Sequence, residues 1–297
     1  MRKQNTINID LDGMSKPILF REMEPPINPR RIPSIAAESK EFIFSDNVIE
    51  FLEAHTVMLE FDYIGYEVRT VDYISGVFLM INPDPRNLAH VPENSLVISH
   101  HKISTHNNRI YAEMLDLAKR TGFNIYNFHL AWDIMEGGIR DSFLSNFGLT
   151  THEYENIDLT YRSVLIPQLG AIFKRRMSIE EITTKLILMN VRPTVIINPQ
   201  CKTSTIGYIP GGGFVDNMVI EMADYGVDVL ISSDHNWVVE TVARELGMTL
   251  IEIDHYQSER HGLTTMKTLL ESSFPKTPIN ILENMHDMQH ASCDCEF

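Results

Sequence analysis

Histidines at the ends of apolar runs carry most of the chemistry open to this chain. Leu96-Val97-Ile98-Ser99 runs straight into His100-His101. The run 124–130 holds His129 near its end, and Asp133 follows four residues later. The run 248–253 stops at Asp254-His255, and Glu259 again follows four residues on. Each piece has an ordinary explanation. Neighbours on a regular strand point to opposite faces, so His100 and His101 converge only if the strand has already ended. A carboxylate four residues after a histidine is also the spacing of a helix-surface pair. Three such ends in one chain point to a metal site, because ligands of parallel α/β sheets gather outside the carboxyl ends of strands.

The donor types narrow the chemistry. Histidine nitrogen with carboxylate oxygen and no thiolate suits Zn, Fe, Mn or Co in an open catalytic site. Three histidines and two carboxylates exceed the needs of one four-coordinate ion with a water position. They match two ions bridged by a carboxylate, which at roughly 3.5–4 Å apart share a nucleophile and stabilise an oxyanion.

Other features are less specific. Gly211-Gly212-Gly213 before a helix could offer backbone amides to an anion, or could be a tight turn. It lacks the Lys-Ser/Thr of a P-loop and the spacing of a dinucleotide fingerprint. Asp234-His235-Asn236 follows a strand and either lines the same cleft or is a capping Asp beside a surface His. Cys293-x-Cys295, with His286 and His290, reads as an acidic tail more readily than as a soft-metal site. There is no Gly-x-Ser-x-Gly elbow and no His-Glu-x-x-His.

The elements that must position these residues alternate. Strands are expected at 76–81, 96–99, 124–130, 163–173, 193–199, 205–209, 227–232, 248–253 and 278–282. Helices are expected after Asp46 as cap, at 109–120 with Gly122 as C-cap, and from Ser178 with Glu181 as a capping box. Three more follow at 214–225, 237–246 and 258–272. Alternation of this kind gives an α/β fold with mixed, largely parallel sheets. Four segments are expected: an extension at 1–40, a first α/β segment at 41–160, a middle segment at 161–210 and a C-terminal α/β segment at 211–297. The Pro- and Arg-rich MEPPINPRRIPS lies in the extension.

Composition bounds the partners. The 297 residues carry 25 Lys plus Arg against 40 Asp plus Glu, a formal net charge of -15. Such a chain repels phosphate backbones, so nucleic acid is not an expected partner. No window approaches a membrane span, and the N-terminus lacks the apolar stretch of a secretory signal. Three cysteines make no disulfide framework at this length, so the cytoplasm is the expected compartment.

The residues resemble the Nif-three-like family of dinuclear-metal proteins, often labelled GTP cyclohydrolase I type two homologues. The resemblance spans about 45–282. Phe61-Asp62-Tyr63-Ile64-Gly65 is similar to the family's early Trp-Asp-Asn-x-Gly segment. Leu96 to His101 is similar to its strand and His-His pair. Phe128-His129-Leu130-Ala131-Trp132-Asp133 and 138–149 are similar to its His-Thr-Asn-x-Asp segment and following helix. Asp228 to Ser232, through His255-Tyr256-Gln257-Ser258-Glu259, is similar to its last strand, helix and Gly-His-Tyr-x-x-Glu motif.

The resemblance implies two linked α/β domains, a metal site in the cleft between strand ends, and a homohexameric ring. It carries the ligand role to His100, His101, Asp133, His255 and Glu259. By analogy His101 and Asp133 hold one ion, His100 and His255 the other, and Glu259 bridges. His129 and His235 become the expected proton carriers, with Gly212, Gly213 and Asp234 as substrate contacts. The implied reaction is hydrolysis of a small molecule, a nucleotide or related heterocycle, by water that two divalent ions activate. For GTP the attack falls on the imidazole carbon of the guanine ring, with ring opening and formate release. The chain departs from the family at Lys102, where Pro is usual. It departs again at Ser233-Asp234-His235-Asn236-Trp237-Val238, where the family reads Gly-Asp-x-Lys-Tyr-His. Those departures leave two alternatives: a non-catalytic metal carrier or cofactor-assembly protein, and a regulatory oligomeric scaffold.

Overall fold

The structure is a computed structural model that describes residues 41–103, 109–200 and 203–283. The extension at 1–40 and the tail with Cys293 and Cys295 lie outside the described residues. In chain order the elements begin β1 (Ile43–Phe44), α1 (Ser45–Glu53), β2 (Gly65–Val68), β3 (Tyr73–Ile74), β4 (Gly76–Met80), α2 (Pro85–Leu88) and β5 (Ser95–Ser99). They continue α3 (Arg109–Thr121), β6 (Asn124–Asn127), α4 (His129–Ile134), α5 (Ile139–Asn146), β7 (Glu155–Tyr161), β8 (Val164–Met177) and α6 (Ile179–Leu188). The last are β9 (Pro193–Ile197), β10 (Thr203–Tyr208), α7 (Asp216–Asp224), β11 (Val229–Ser232), α8 (Trp237–Leu246), β12 (Thr249–Ile253), α9 (His255–Glu259), α10 (His261–Ser273) and β13 (Ile279–Ile281).

Two mixed sheets carry the architecture, and β1 and β3 form a small separate pair. The first sheet has order β13-β4-β5-β6-β2, parallel except for the β2 edge. The second has order β7-β8-β10-β11-β12-β9. Its central strands β10, β11 and β12 are parallel, β8 and β9 flank them antiparallel, and β7 pairs antiparallel with β8 at the edge. Strands buried on both faces read as unbroken apolar runs, and every residue of β5 and of β11 is buried.

Both sheets are covered on both sides. Val48 and Leu52 of α1 and Leu263, Met266 and Leu270 of α10 pack on Leu79, Leu96 and Ile98. On the other face Met114 and Ala118 of α3 meet Val97 and Ile125. In the second sheet Met218, Val219 and Met222 of α7 and Val239 and Ala243 of α8 cover Leu230 and Leu250. Phe143 of α5 and Ile182 and Leu186 of α6 cover Ile206, Val229 and Ile251. Burying side chains of this size stabilises by about 1.5–3 kcal/mol each.

Local signals set several boundaries. Ser178 and Glu181 form the expected reciprocal capping box of α6. Gly122 closes α3 at φ 81°, its amide bonded to the Ala118 carbonyl. Three expectations need correction. Asp46 does not cap α1; Phe44 holds that position, and Asp46 accepts from Tyr66 and Arg69 instead. The run 124–130 is strand only to Asn127, because the chain turns at Phe128 into α4. The helix expected at 258–272 starts earlier and is two helices, with Asp254 capping α9 and Arg260 between α9 and α10. No helix among the described residues is long and apolar enough to cross a membrane.

Candidate metal centre

The two parallel cores turn their carboxyl ends toward one cavity. From the first sheet, β4 ends before Asn82, β5 before His100-His101 and β6 before His129. From the second, β10 leads to Gly211, β11 to Asp234 and β12 to His255. Except for Asn82 and His100, these residues line a cavity of about 540 Å³, together with Asp133 and Glu259.

His100 and His101 do converge. Both amides still bond to the carbonyls of Met80 and Ile81 beyond the last regular pairs, yet the two rings lie 4.6 Å apart. His100 is fully buried and His101 is half-buried. Asp133 lies on α4, one helical turn after His129, and not at a strand end as expected. Glu259 ends α9, one turn after His255. Both four-residue spacings are therefore helical, and both aim their side chains into the same cluster.

Glu259 stands at its middle. Its Oε1 lies 3.2 Å from His100 Nε2 and 2.9 Å from His255 Nε2. Its Oε2 lies 3.5 Å from His101 Nε2. Asp133 Oδ2 lies 3.7 Å from His100 Nε2. Three sets of donor atoms are close enough to share an ion: His100, Asp133 and Glu259; His101, His255 and Glu259; and His100, His101 and His129. Asp133 thus stands with His100, where the family analogy paired it with His101.

The donor chemistry fits a divalent cation. His100 Nε2, Asp133 Oδ1 and Glu259 Oε2 are buried and have no hydrogen-bond partner among the described residues. Unpaired buried carboxylates are strongly unfavourable, and coordination is the usual remedy. Burial pushes His100 down to about 4, which keeps its ring neutral and its lone pair available. Burial, reinforced by the charges of Glu259 and Asp62, raises Asp133 well above the carboxylate range. Burial would raise Glu259 as well, but His100 and His101 hold it well below. His255 is raised to about 11, as its bonds to Asp234 and Glu259 overcome burial. The cluster demands positive charge.

Each accessible ring is fixed from behind. Asn82 Oδ1 lies 2.6 Å from His101 Nδ1, Asp62 Oδ1 2.9 Å from His129 Nδ1 and Asp234 Oδ2 2.6 Å from His255 Nδ1. Such partners set the tautomer that leaves Nε2 free for an ion. Asp234 therefore orients His255, and it also lines the cavity in which the expected substrate contact would lie. Asp62 and Asn82 were not singled out from the sequence. Asp62 sits in the motif segment at 61–65, and Asn82 directly follows the strand beside the His pair, so the strand-end rule would have reached it.

The glycine turn serves packing. Gly211 has φ 58°, and a Cβ there would collide with Glu259 Oε1 and stand 3.0 Å from His255 Nε2. The Gly211 amide donates to Ser258 Oγ and the Gly213 amide to Ser232 Oγ, so two of the three amides are not offered to an anion. Gly212 and Gly213 do line the cavity, as does His129. His235 does not. Its Nδ1 lies 2.8 Å from Glu252 Oε1, and the structure does not bring it to the cluster. The helix cap after β11 is Asn236, which accepts from Val238 and Val239.

Fold and site together define an α/β protein with a histidine–carboxylate cluster of metal-ligand type between the carboxyl ends of two mixed sheets. The family model described as Duf34/NIF3 (NGG1p interacting factor 3) matches residues 45–287, and the chain belongs to that family. A relative from Methanothermobacter thermautotrophicus, named GTP cyclohydrolase 1 type 2 homolog, is 25% identical over 146 residues. That match covers 48% of this chain and 58% of the relative. Among solved structures, reduced HcgD from Methanocaldococcus jannaschii superposes with TM-score 0.65 at 21% identity, over 82% of this chain and 98% of that one. The Bacillus cereus protein related to NIF3 superposes with TM-score 0.67 at 12% identity, over 81% and 96%. These structures share the fold.

Proposed function

We propose that the chain is a metal-dependent hydrolase with a dinuclear centre, acting on a nucleotide or related heterocycle. The observation that carries this is the pair of donor sets that meet at Glu259 on the wall of an open cavity. His100 and Asp133 would hold one divalent ion, His101 and His255 the other, and Glu259 both. The ions, of Zn, Fe, Mn or Co type, supply Lewis acidity and acidify water toward neutrality.

The chain's own residues supply the rest. Asp62 fixes His129 by its Nδ1 and leaves Nε2 to take or give a proton at the cavity wall. Asp62 Oδ2 also accepts from the Leu130 amide, which ties this histidine to the start of α4. Ser258 binds the Gly211 amide and the His255 carbonyl, so α9 is locked to the turn beneath the cluster. Leu130, Ile166, Leu169, Ile209 and Met218 wall the cavity with apolar surface and limit water. A cytoplasmic homohexamer accompanies this reading, through the family resemblance.

Elemental analysis of gently purified protein tests it, followed by assay of GTP and other hydrolysable heterocycles. About two ions per chain are expected. Glu259→Ala should lose metal and turnover while staying folded. Near-zero metal after reconstitution with each of the four ions would overturn the reading, as would full turnover by Glu259→Ala. Exchangeable metal without turnover on any heterocycle would favour a carrier.

A further inference from the structure

Two cations at the cavity belong to no part of the metal centre. Lys102 directly follows His101, and its Nζ stands 5.0 Å from the Tyr63 ring centroid. Arg162 comes from the second sheet, at the β7–β8 turn, with its guanidinium carbon 5.1 Å from the Tyr161 ring centroid. Arg162 and Ser163 have φ 48° and 68°, the signature of a two-residue primed hairpin turn. All four of Tyr63, Lys102, Tyr161 and Arg162 line the same cavity as His101, Asp133, His255 and Glu259. Each cation lies over a tyrosine ring of the cavity wall, and Lys102 also faces the buried carboxyl of Glu67. In a chain of net charge -15, these cations oppose the overall field where a substrate enters.

We propose that Lys102 and Arg162, with the Tyr63 and Tyr161 rings, form a subsite for an organic anion that carries an aromatic ring. This rests on the hydrolase reading and names its substrate class: an aryl or heteroaryl phosphate of nucleotide size. The anionic group binds the two cations, one from each sheet. The ring packs on tyrosine and on the apolar wall, within the volume range of small-molecule sites. Lys contributes a point charge and Arg a planar fork, and the two together suit a phosphate better than a single carboxylate oxygen. The anion thereby docks away from the ligands, and the ring faces the histidine–carboxylate cluster.

Calorimetric titration of zinc-loaded full-length protein with GMP, guanosine and inorganic phosphate tests this. GMP should bind at least about tenfold tighter than guanosine or phosphate, as expected of a charge-assisted contact added to a stacked ring. Lys102→Ala and Arg162→Ala should each weaken GMP about tenfold, with guanosine affinity and zinc content unchanged. Equal affinity for GMP and guanosine would overturn the subsite, as would no GMP binding to the wild type. GMP affinity unchanged in both variants would place the phosphate on the zinc and also overturn it. GMP binding that depends on both cations, in a protein without turnover, would sink the hydrolase reading and keep the subsite. Turnover indifferent to both substitutions would do the reverse.

Discussion

At the residue scale the cluster is organised as much by the atoms behind the rings as by the rings. Asp234 is mostly exposed and its burial contributes little to the fold, yet its Oδ2 is 2.6 Å from His255 Nδ1. Removing such a partner typically lowers metal affinity by about 10–100-fold. Asp234→Ala should show that loss in a chelator competition, with thermal stability of the metal-free protein little changed. An unchanged metal affinity would assign Asp234 to substrate after all. Glu67 gives a pH test outside the cluster. Burial raises its carboxyl to about 7, although it accepts the Ile103 amide and faces Lys102. The folded protein therefore holds a proton that the unfolded chain releases near the usual value of 4.5. Stability from this group is present below about pH 4.5 and is lost as pH rises to about 7. Glu67→Gln should raise the melting temperature at pH 8, and the gain should vanish at pH 4. The five candidate ligands were legible because histidine beside carboxylate has few structural uses in combination. Their partners Asp62, in the turn before β2, and Asn82, just past β4, were not, because a lone polar residue in a turn or at a strand end has many.

At the element scale the two shortest site helices explain what the sequence could and could not reveal. Period and turn residues place β4, β5, α3, α6 and α8 almost to the residue, since each is long enough to show its pattern. Helices α4 and α9 have six and five residues, too short for a 3.6-residue period to declare itself. Apolar residues at 124–130 therefore read as one strand, and the last of them belong to α4. The spacing His129-x-x-x-Asp133 was the surviving clue, because four residues is one helical turn. Strands β2 and β7 were missed for a related reason. Both are flanking strands with half-exposed faces, and their mixed burial leaves no continuous apolar run. Where local chemistry alone decides a boundary, its strength can be measured. The Ser178 side chain accepts the Glu181 amide, and Glu181 returns the bond to the Ser178 amide. Ser178→Ala should cost about 1 kcal/mol in denaturant unfolding. Ser178 belongs neither to the cavity wall nor to the candidate donor sets, so metal content should not change. A cost near zero would mean that burial of Ile182 and Leu186 alone sets where α6 begins.

At the scale of the whole molecule the cluster joins the two sheets. His100, His101 and Asp133 come from strand ends and a helix of the first; His255 follows β12 of the second, and Glu259 follows on α9. An ion held by His101, His255 and Glu259 would link both, as would one held by His100, Asp133 and Glu259. Metal should therefore stabilise the whole folded unit and not a local loop. The linkage is quantitative: a ligand that binds only the folded state at about 100 times its Kd adds about 2.7 kcal/mol. Two features sharpen the expectation. Asp133 and Glu259 are buried beside each other, so the metal-free protein holds a proton on Asp133 that an ion would displace. His255 is protonated as well, and a metal must displace that proton too, so binding should release protons and tighten as pH rises. Differential scanning calorimetry with zinc and with chelator should show a single transition that moves up with metal. The shift should be larger at pH 8 than at pH 6. Glu259→Ala should abolish the shift, because it removes the one side chain common to both donor sets. Asp234→Ala should shrink it without abolishing it, since His255 loses its orientation and keeps its nitrogen. Two separate transitions, with only one sensitive to metal, would show that the ion is held by one sheet's residues alone, and the bridging role of Glu259 would fall with that result.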